Sequence, residues 1–257
     1  MVSKMFRLDG CCSIVTGAGQ GLGKYMAMAL AEAGSHIVVP DINFDKAREA
    51  AREIEKMGVK AVPFHLDVTK EQEIDAMIDA VMAQFGKIDV LINNAGICKH
   101  INVEKMEYKD WREVIDVNLN GVFLVSKAVG AVMIRQKKGS IINISSMSGI
   151  IVNTPQNQAA YNVSKAGVIM LTKSMAAEWA QYNIRVNSIA PGYMNIGVAE
   201  RFFKENGDMV KRWLNFTPMG RPGNPEELQG IALYLASEAS SFATGAVFTI
   251  DGGYTAW

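Results

Sequence analysis

Short apolar runs and longer amphipathic stretches alternate along almost the whole chain. Residues 13–16 (Ser-Ile-Val-Thr), preceded by two cysteines, read as a short buried strand. A glycine-rich turn follows. Residues 24–33 are then rich in alanine and methionine with helical character, closed by Gly34 as a C-cap. Residues 36–39 form a second predicted strand that ends at Pro40-Asp41, because proline cannot donate to an interior ladder. The pattern repeats with a charged helix at 45–57, a strand at 61–66, a helix to Phe85 and a strand at 88–92. Thr69-Lys70-Glu71-Gln72 has the spacing of a capping box for that second helix.

The second half keeps the rhythm and then loses it. A helical pattern runs from about Tyr108 through Trp111, Asn118 and Phe123 to Arg135, long enough to imply a bend or a break. A strand at 140–145, a polar loop at 150–158, a helix from Tyr161 to about Tyr182 and a strand at 184–190 follow, the last stopped by Pro191-Gly192. Residues 193–222 carry Met, Phe, Trp and charges without a clean period, as a lid or binding loop does. Asn224 and Pro225 then cap and open a last helix, and 246–250 is the last strand. Strands that alternate with helices predict an α/β class, with a parallel sheet and helices on both faces. No internal repeat or linker divides residues 1–257, so one domain is expected.

Composition narrows the function classes. Lys+Arg and Asp+Glu both number 26, so nothing draws the whole chain to nucleic acid or an anionic membrane. Cys11, Cys12 and Cys98 are odd in number and contain no CxxC, which argues against a disulfide framework and for a reducing, cytoplasmic setting. No apolar run approaches the ~18 residues of a spanning helix. His36, His65 and His100 are scattered, so no metal site is expected.

Candidate chemistry gathers at three places. Gly17, Gly19, Gly21 and Gly23, with Gln20 and Leu22 between them, follow a strand and open a helix. In that context glycines let the backbone approach a pyrophosphate, and the helix N-terminus offers free N–H groups. Asp41 lies 18 residues past Gly23, near the spacing of the acid that holds an adenosine ribose. A carboxylate there repels a 2′-phosphate and favours NAD over NADP. Tyr161 and Lys165, four apart, differ by about 40° around a helix and share a face. A phenol beside an ammonium is an acid/base unit, with the cation pulling the tyrosine's pKa down.

These pieces occur together with Asp67, Asn93-Asn94-Ala95-Gly96, Asn118, Ser146 and Pro191-Gly192. In that order, over nearly the whole chain, they resemble the short-chain dehydrogenase/reductase family. The resemblance implies a doubly wound, Rossmann-like sheet of seven mostly parallel strands and a catalytic group of Asn118, Ser146, Tyr161 and Lys165. Tyr161 is then the general acid/base, Lys165 holds the ribose of the nicotinamide half, Ser146 orients the substrate oxygen, and Asn118 anchors a water that links Lys165 to solvent. Val68, Ala95, Gly96 and Met194 join the glycine loop, Asp41, Asp67, Asn94, Pro191 and Gly192 as expected cofactor contacts. One position departs: the family usually has Thr where this chain has Ile196.

The substrate end is expected to draw on Ser148, Asn153, Gln158 and Tyr193. Amides at 153, 156, 157, 158 and 195 suit sugar or polyol hydroxyls, and the tail 251–257 also resembles sugar-alcohol and ketose members of the family. The expected reaction is NAD-dependent interconversion of a secondary alcohol and a ketone on a polyol, ketose or sugar acid. The alternatives are a hydroxysteroid or 3-oxoacyl reductase and, outside enzymes, an NAD(H)-sensing regulator. The family commonly forms dimers or tetramers, so a homo-oligomer is expected.

Overall fold

A computed structural model describes residues 2–196 and 207–257. Its centre is one seven-stranded sheet in the order β3-β2-β1-β4-β5-β6-β7. The strands are β1 (Cys12–Val15), β2 (His36–Asp41), β3 (Ala61–His65), β4 (Val90–Asn93), β5 (Gly139–Ile144), β6 (Ile184–Pro191) and β7 (Val247–Ile250). Every pairing is parallel, so the "mostly parallel" expectation is met in full.

The strand period of two sorts the apolar residues into two cores. Val15, Ile37, Val39, Ile92 and Ile142 point to one face, where α1 (Gly21–Glu32) and α2 (Phe44–Glu55) pack through Met26, Leu30, Ala50 and Ile54. Ile14, Val38, Leu91 and Ile141 point to the other. There α3 (Glu71–Phe85), α5 (Gly121–Gln136) and α6 (Ala159–Trp179) supply Met77, Val129, Met133 and Met175. Strands buried on both sides explain why their sequences read as continuous apolar runs.

The long helical pattern does break. α4 (Tyr108–Ile115) passes through a single π-helical turn, Asp116–Asn120, into α5. One extra residue in a turn shifts the face that follows, and such turns often sit at functional sites. The joined helix Tyr108–Gln136 is also long and apolar enough, by length and composition, to cross a membrane, which run length alone did not reveal. Half of its apolar window is buried inside the fold, where α5 packs against α3 and α6.

Three local expectations change. The predicted capping box at Thr69 does not form; Lys70 is the N-cap of α3, and the Thr69 hydroxyl donates to Asp67 instead. At the last helix Glu227 accepts from the Asn224 N–H (2.7 Å), with Pro225 in the first position. Its opening turn Pro225–Leu228 is 3-10, and α8 (Gln229–Ala236) continues it. The stretch expected to be irregular, 193–222, contains a helix, α7 (Gly207–Asn215). Residues 197–206 of that expected lid lie outside the described residues.

Candidate active site

Above the carboxyl ends of β1, β2, β4, β5 and β6 lies a cleft of about 570 Å³. Its first wall is the turn between β1 and α1. The Thr16 hydroxyl accepts the N–H groups of Asn94 (3.0 Å) and Ala95 (3.1 Å), and the Asn94 amide donates back to the carbonyls of Thr16 and Gly17. The turn after β4 is thereby tied to the turn after β1. Glycine is required inside this knot: a Cβ at Gly23 would lie 2.6 Å from the Gly17 carbonyl oxygen and run into the Asn94 amide. Asp41, buried at the end of β2, accepts the N–H of Gly19 (3.0 Å) and of Asn43 (2.9 Å). At the end of β3, Asp67 takes the Thr69 N–H and hydroxyl, while its own N–H donates to Glu73.

The opposite end is built by β5 and α6. Ser146 caps a single 3-10 turn, Met147–Gly149, its hydroxyl accepting the Ser148 N–H (3.1 Å). That turn presses on α6, because a Cβ at Gly149 would stand 2.6 Å from the Lys165 carbonyl carbon. The close approach brings Ser146 to Tyr161. Lys165, nearly buried, donates from Nζ to the Ile144 carbonyl (2.8 Å) and lies 5.6 Å from the centre of the Tyr161 ring. Asn118 comes from the π turn. Its amide grips the Ile97 backbone at both N–H and C=O (2.8 Å each) and donates to Ser164 (3.0 Å). A Cβ at Gly96 would meet Asn118 Oδ1 at 3.2 Å and Lys165 Nζ at 3.5 Å, so the missing side chain leaves a small gap between the two.

Burial dominates the electrostatics here. It pushes the Tyr161 phenol up to about 12, against a downward pull from its hydrogen bond with Ser146. It brings the Lys165 ammonium down to about 8. The expected lowering of the tyrosine by the lysine is therefore absent from this state. The lysine's ammonium is engaged by a carbonyl, and desolvation outweighs its field. Cys98, in the cleft wall, is raised by burial to about 11 and stays a thiol.

Of the residues singled out from sequence, the cleft is lined by Gly17, Gln20, Gly21, Leu22, Asp41, Asp67, Val68, Asn94, Ala95, Gly96, Ser146, Tyr161, Lys165, Pro191, Gly192 and Met194. Gly19, Gly23 and Asn118 shape it from behind. Ser148, Asn153, Gln158 and Tyr193 do not line it; they form a hydrogen-bonded layer behind the Ser146 turn, and their amides are neither solvated nor free. Asn195 and Ile196 stand off the lining too, the latter packed against the core. Sequence reasoning missed Ile42, Leu66, Ile97, Cys98, Val117, Ile144 and Ser145. Each stands within two positions of a recognised residue, which was the available signal.

The fit to a nicotinamide dinucleotide rests on this chain's own groups. The cleft runs from an acid at the end of β2, past a glycine turn at a helix N-terminus, to a phenol and an ammonium. Among the described residues no cluster of His, Cys, Asp or Glu could hold a metal ion.

Comparison with known proteins gives a consistent answer. A family model described as enoyl-(acyl carrier protein) reductase matches residues 17–255. Galactitol 2-dehydrogenase (L-tagatose-forming) of Cereibacter sphaeroides is 40% identical over 98% of both chains. The NADH-dependent L-xylulose reductase of Ambrosiozyma monospora is 39% identical over 98% of this chain and 97% of its own. The crystal structure of a gluconate 5-dehydrogenase from Burkholderia cenocepacia, in complex with NADP and tartrate, superposes over 100% of both chains with a TM-score of 0.93 at 40% identity. The chain belongs to the short-chain dehydrogenase/reductase family, whose members of this kind are oxidoreductases acting on CH–OH groups.

Proposed function

We propose that this protein is an NAD(H)-dependent dehydrogenase, folded as one catalytic domain, that interconverts a secondary alcohol and a ketone on a polyol, ketose or sugar acid. The observation that carries the reading is the meeting of Ser146, Tyr161 and Lys165 at one end of a cleft whose other end holds Asp41. When bound, the nicotinamide supplies the hydride acceptor or donor. The protein's own part is a proton and an orientation. Tyr161 gives its phenolic proton to a ketone oxygen in reduction and, as phenolate, takes the hydroxyl proton in oxidation. Ser146 donates to the same oxygen as charge develops on it. A phenol held at about 12 by burial is protonated in the resting site, ready for the reductive direction.

Lys165 holds the nicotinamide ribose hydroxyls, and Asn118 anchors the water that joins Lys165 to solvent. Asp41 receives the adenosine ribose, and its charge disfavours a 2′-phosphate. Relatives of both cofactor types exist, so the acid carries the preference. The polyol reading is supported by relatives that act on galactitol and L-xylulose. Outward apolar side chains on α5 and α6, Phe123, Val163 and Met170, support a homo-oligomer, and free cysteines support the cytoplasm.

A second reading, reduction of the keto group of a 3-oxoacyl thioester, is favoured by the 3-oxoacyl-(acyl-carrier-protein) reductase of Thermotoga maritima, 40% identical over 96% of this chain and 98% of its own. Absorbance of reduced nicotinamide, followed with NAD and NADP in parallel, separates the two. Galactitol and gluconate are expected to be oxidised with NAD, and xylulose to be reduced with NADH. Turnover of 3-oxoacyl thioesters alone replaces the polyol reading. Tyr161→Phe keeps cofactor binding and loses about 10²–10⁴-fold in kcat, the span of general acid/base catalysis; full retention of rate refutes the mechanism.

A further inference from the structure

Behind Ser146 runs a line of side-chain hydrogen bonds that the proton chemistry does not use. The Ser148 hydroxyl accepts from Gln158 Nε2 (3.1 Å), and the same amide reaches Asn153 Oδ1 (3.4 Å). Asn153 Nδ2 reaches the Tyr193 hydroxyl (3.4 Å), which also accepts from Gln156 Nε2 (2.8 Å). The Gln156 Oε1 accepts the indole N–H of Trp213 (2.9 Å). Trp213 sits in α7, and its ring stacks on that of Tyr193 with centres 4.1 Å apart and planes 13° from parallel. With the Ser148 N–H on Ser146, the line joins the Ser146 turn to α7 without a gap.

Gln156 is the link that no apolar substitute reproduces. It is buried, its nitrogen serves Tyr193 and its oxygen serves Trp213. Only a side chain with both a donor and an acceptor fits, which is the property of an amide. Tyr193 in turn stands between Gly192 and Met194, two residues of the cleft wall, so what anchors its side chain also anchors the backbone of that wall.

We propose that Gln156 is a positioning residue for the substrate: it clamps Tyr193 to Trp213 of α7 and so fixes the wall of the cleft at its substrate end. The proposal rests on the reading of Ser146 and Tyr161 as the reacting end. Gln156 touches no reacting atom and does not line the cleft; Gly192 and Met194, which flank Tyr193, are expected cofactor contacts too, so cofactor Kd is read beside substrate KM. A spatial line of contacts shows a route and not a coupling, so the test must measure coupling directly.

Gln156→Leu is expected to raise substrate KM about five- to tenfold, the effect of one buried hydrogen bond, with kcat changed by less than about twofold and the cofactor Kd raised by less than the KM. Trp213→Phe keeps the stack and loses the N–H; the double variant is expected to be no worse than Gln156→Leu alone. Gln156→Glu supplies the sharper readout. Its carboxylate still accepts from Trp213 but donates to Tyr193 only when protonated. Its KM should approach the wild-type value at low pH and climb between about pH 5 and 8, where a buried carboxyl titrates. A pH-independent KM ratio to wild type, strictly additive single effects, or equal rises in KM and cofactor Kd overturn the clamp. If the wild type oxidises no polyol or sugar acid, the functional reading fails on its own. The clamp is then decided by the emission of Trp213, taken as the difference between each chain and its Trp213→Phe counterpart. A pH-dependent emission shift in Gln156→Glu, absent from wild type, supports the clamp, and its absence overturns it.

Discussion

The two ends of the cleft are made of different material. The cradle between β1 and α1 is backbone, tied down by side chains that bond to backbone: Thr16 to Asn94 and Ala95, Asn94 to Thr16 and Gly17, Asp41 to Gly19. The layer behind the far end is side chain on side chain: Gln158 on Ser148, Gln156 on Tyr193, Trp213 on Gln156. A backbone cradle has little freedom to vary, because its geometry is set by where a Cβ cannot go. A wall of amides and rings can be rebuilt residue by residue. One end can thus keep a common cofactor while the other changes substrate, which agrees with relatives that differ in the sugar they act on.

The contrast breaks most visibly at Gly23. A methyl group there meets the Gly17 carbonyl and the Asn94 amide, neither of which can yield without undoing the tie between β1 and β4. Gly23→Ala is expected to weaken cofactor binding by at least about tenfold and to cost about 1–3 kcal/mol of stability, the usual range for overpacking. Calorimetric titration and thermal melting check both. Gly21→Ala is the control. Its Cβ meets no protein atom within 4 Å, so the fold is penalised only through the left-handed backbone (φ +65°), at about 1–2 kcal/mol. A larger loss of stability in Gly21→Ala than in Gly23→Ala would remove the distinction between a crowded cradle and a merely strained turn.

This difference in material also explains what could be read from the chain. The glycines at 17, 19, 21 and 23 were legible because backbone requirements leave a local trace in residue type. The strand alternation was legible for the same reason, down to the two cores that Ile14 and Val15 divide between them. Asn118 was visible as a residue but not as a π turn, since a helix with one extra residue keeps its apolar pattern. The amide layer was visible only as composition. Partners such as Gln156 and Trp213 stand 57 positions apart, and no local pattern joins them. Thr69 failed as a cap because Asp67 offered its hydroxyl a nearer, charged acceptor.

A smaller effect is expected at Asp41, on which the proposed preference for NAD rests. Asp41 bonds to the Gly19 and Asn43 N–H groups, so its removal loosens the turn as well as deleting a charge. Asp41→Asn keeps the shape but only one of the two acceptors, so one of these N–H groups loses its partner together with the charge, an effect on the turn that the two cofactors share. The ratio of kcat/KM for NAD to that for NADP should fall about five- to tenfold, the worth of one charged hydrogen bond together with a removed repulsion. A ratio that stays constant would place the preference elsewhere in the cleft.

The smallest effect concerns what the proposed catalytic end, with Tyr161 and Lys165, costs the fold. The cradle buries neutral backbone groups that are paired, whereas Lys165 is a cation in a nearly closed site, brought down by burial from 10.5 to about 8. Because the folded value lies below the unfolded one, the unfolded chain holds the extra proton between about pH 8 and 10.5. Stability from this group therefore rises with pH through that window and is lowest below it, where the buried amine must stay charged. Lys165→Met removes both the cost and the rise. Its melting temperature relative to wild type should be most favourable near neutral pH and fall by a few °C, roughly 2–4 °C for each kcal/mol, on going to pH 10. The comparison with wild type cancels the opposite drift from Tyr161, whose raised value makes the folded state keep its proton and lose stability only above its ordinary range. A melting difference that does not change with pH would mean that Lys165 is as comfortable in the fold as the cradle's paired amides, and that the catalytic end carries no such cost.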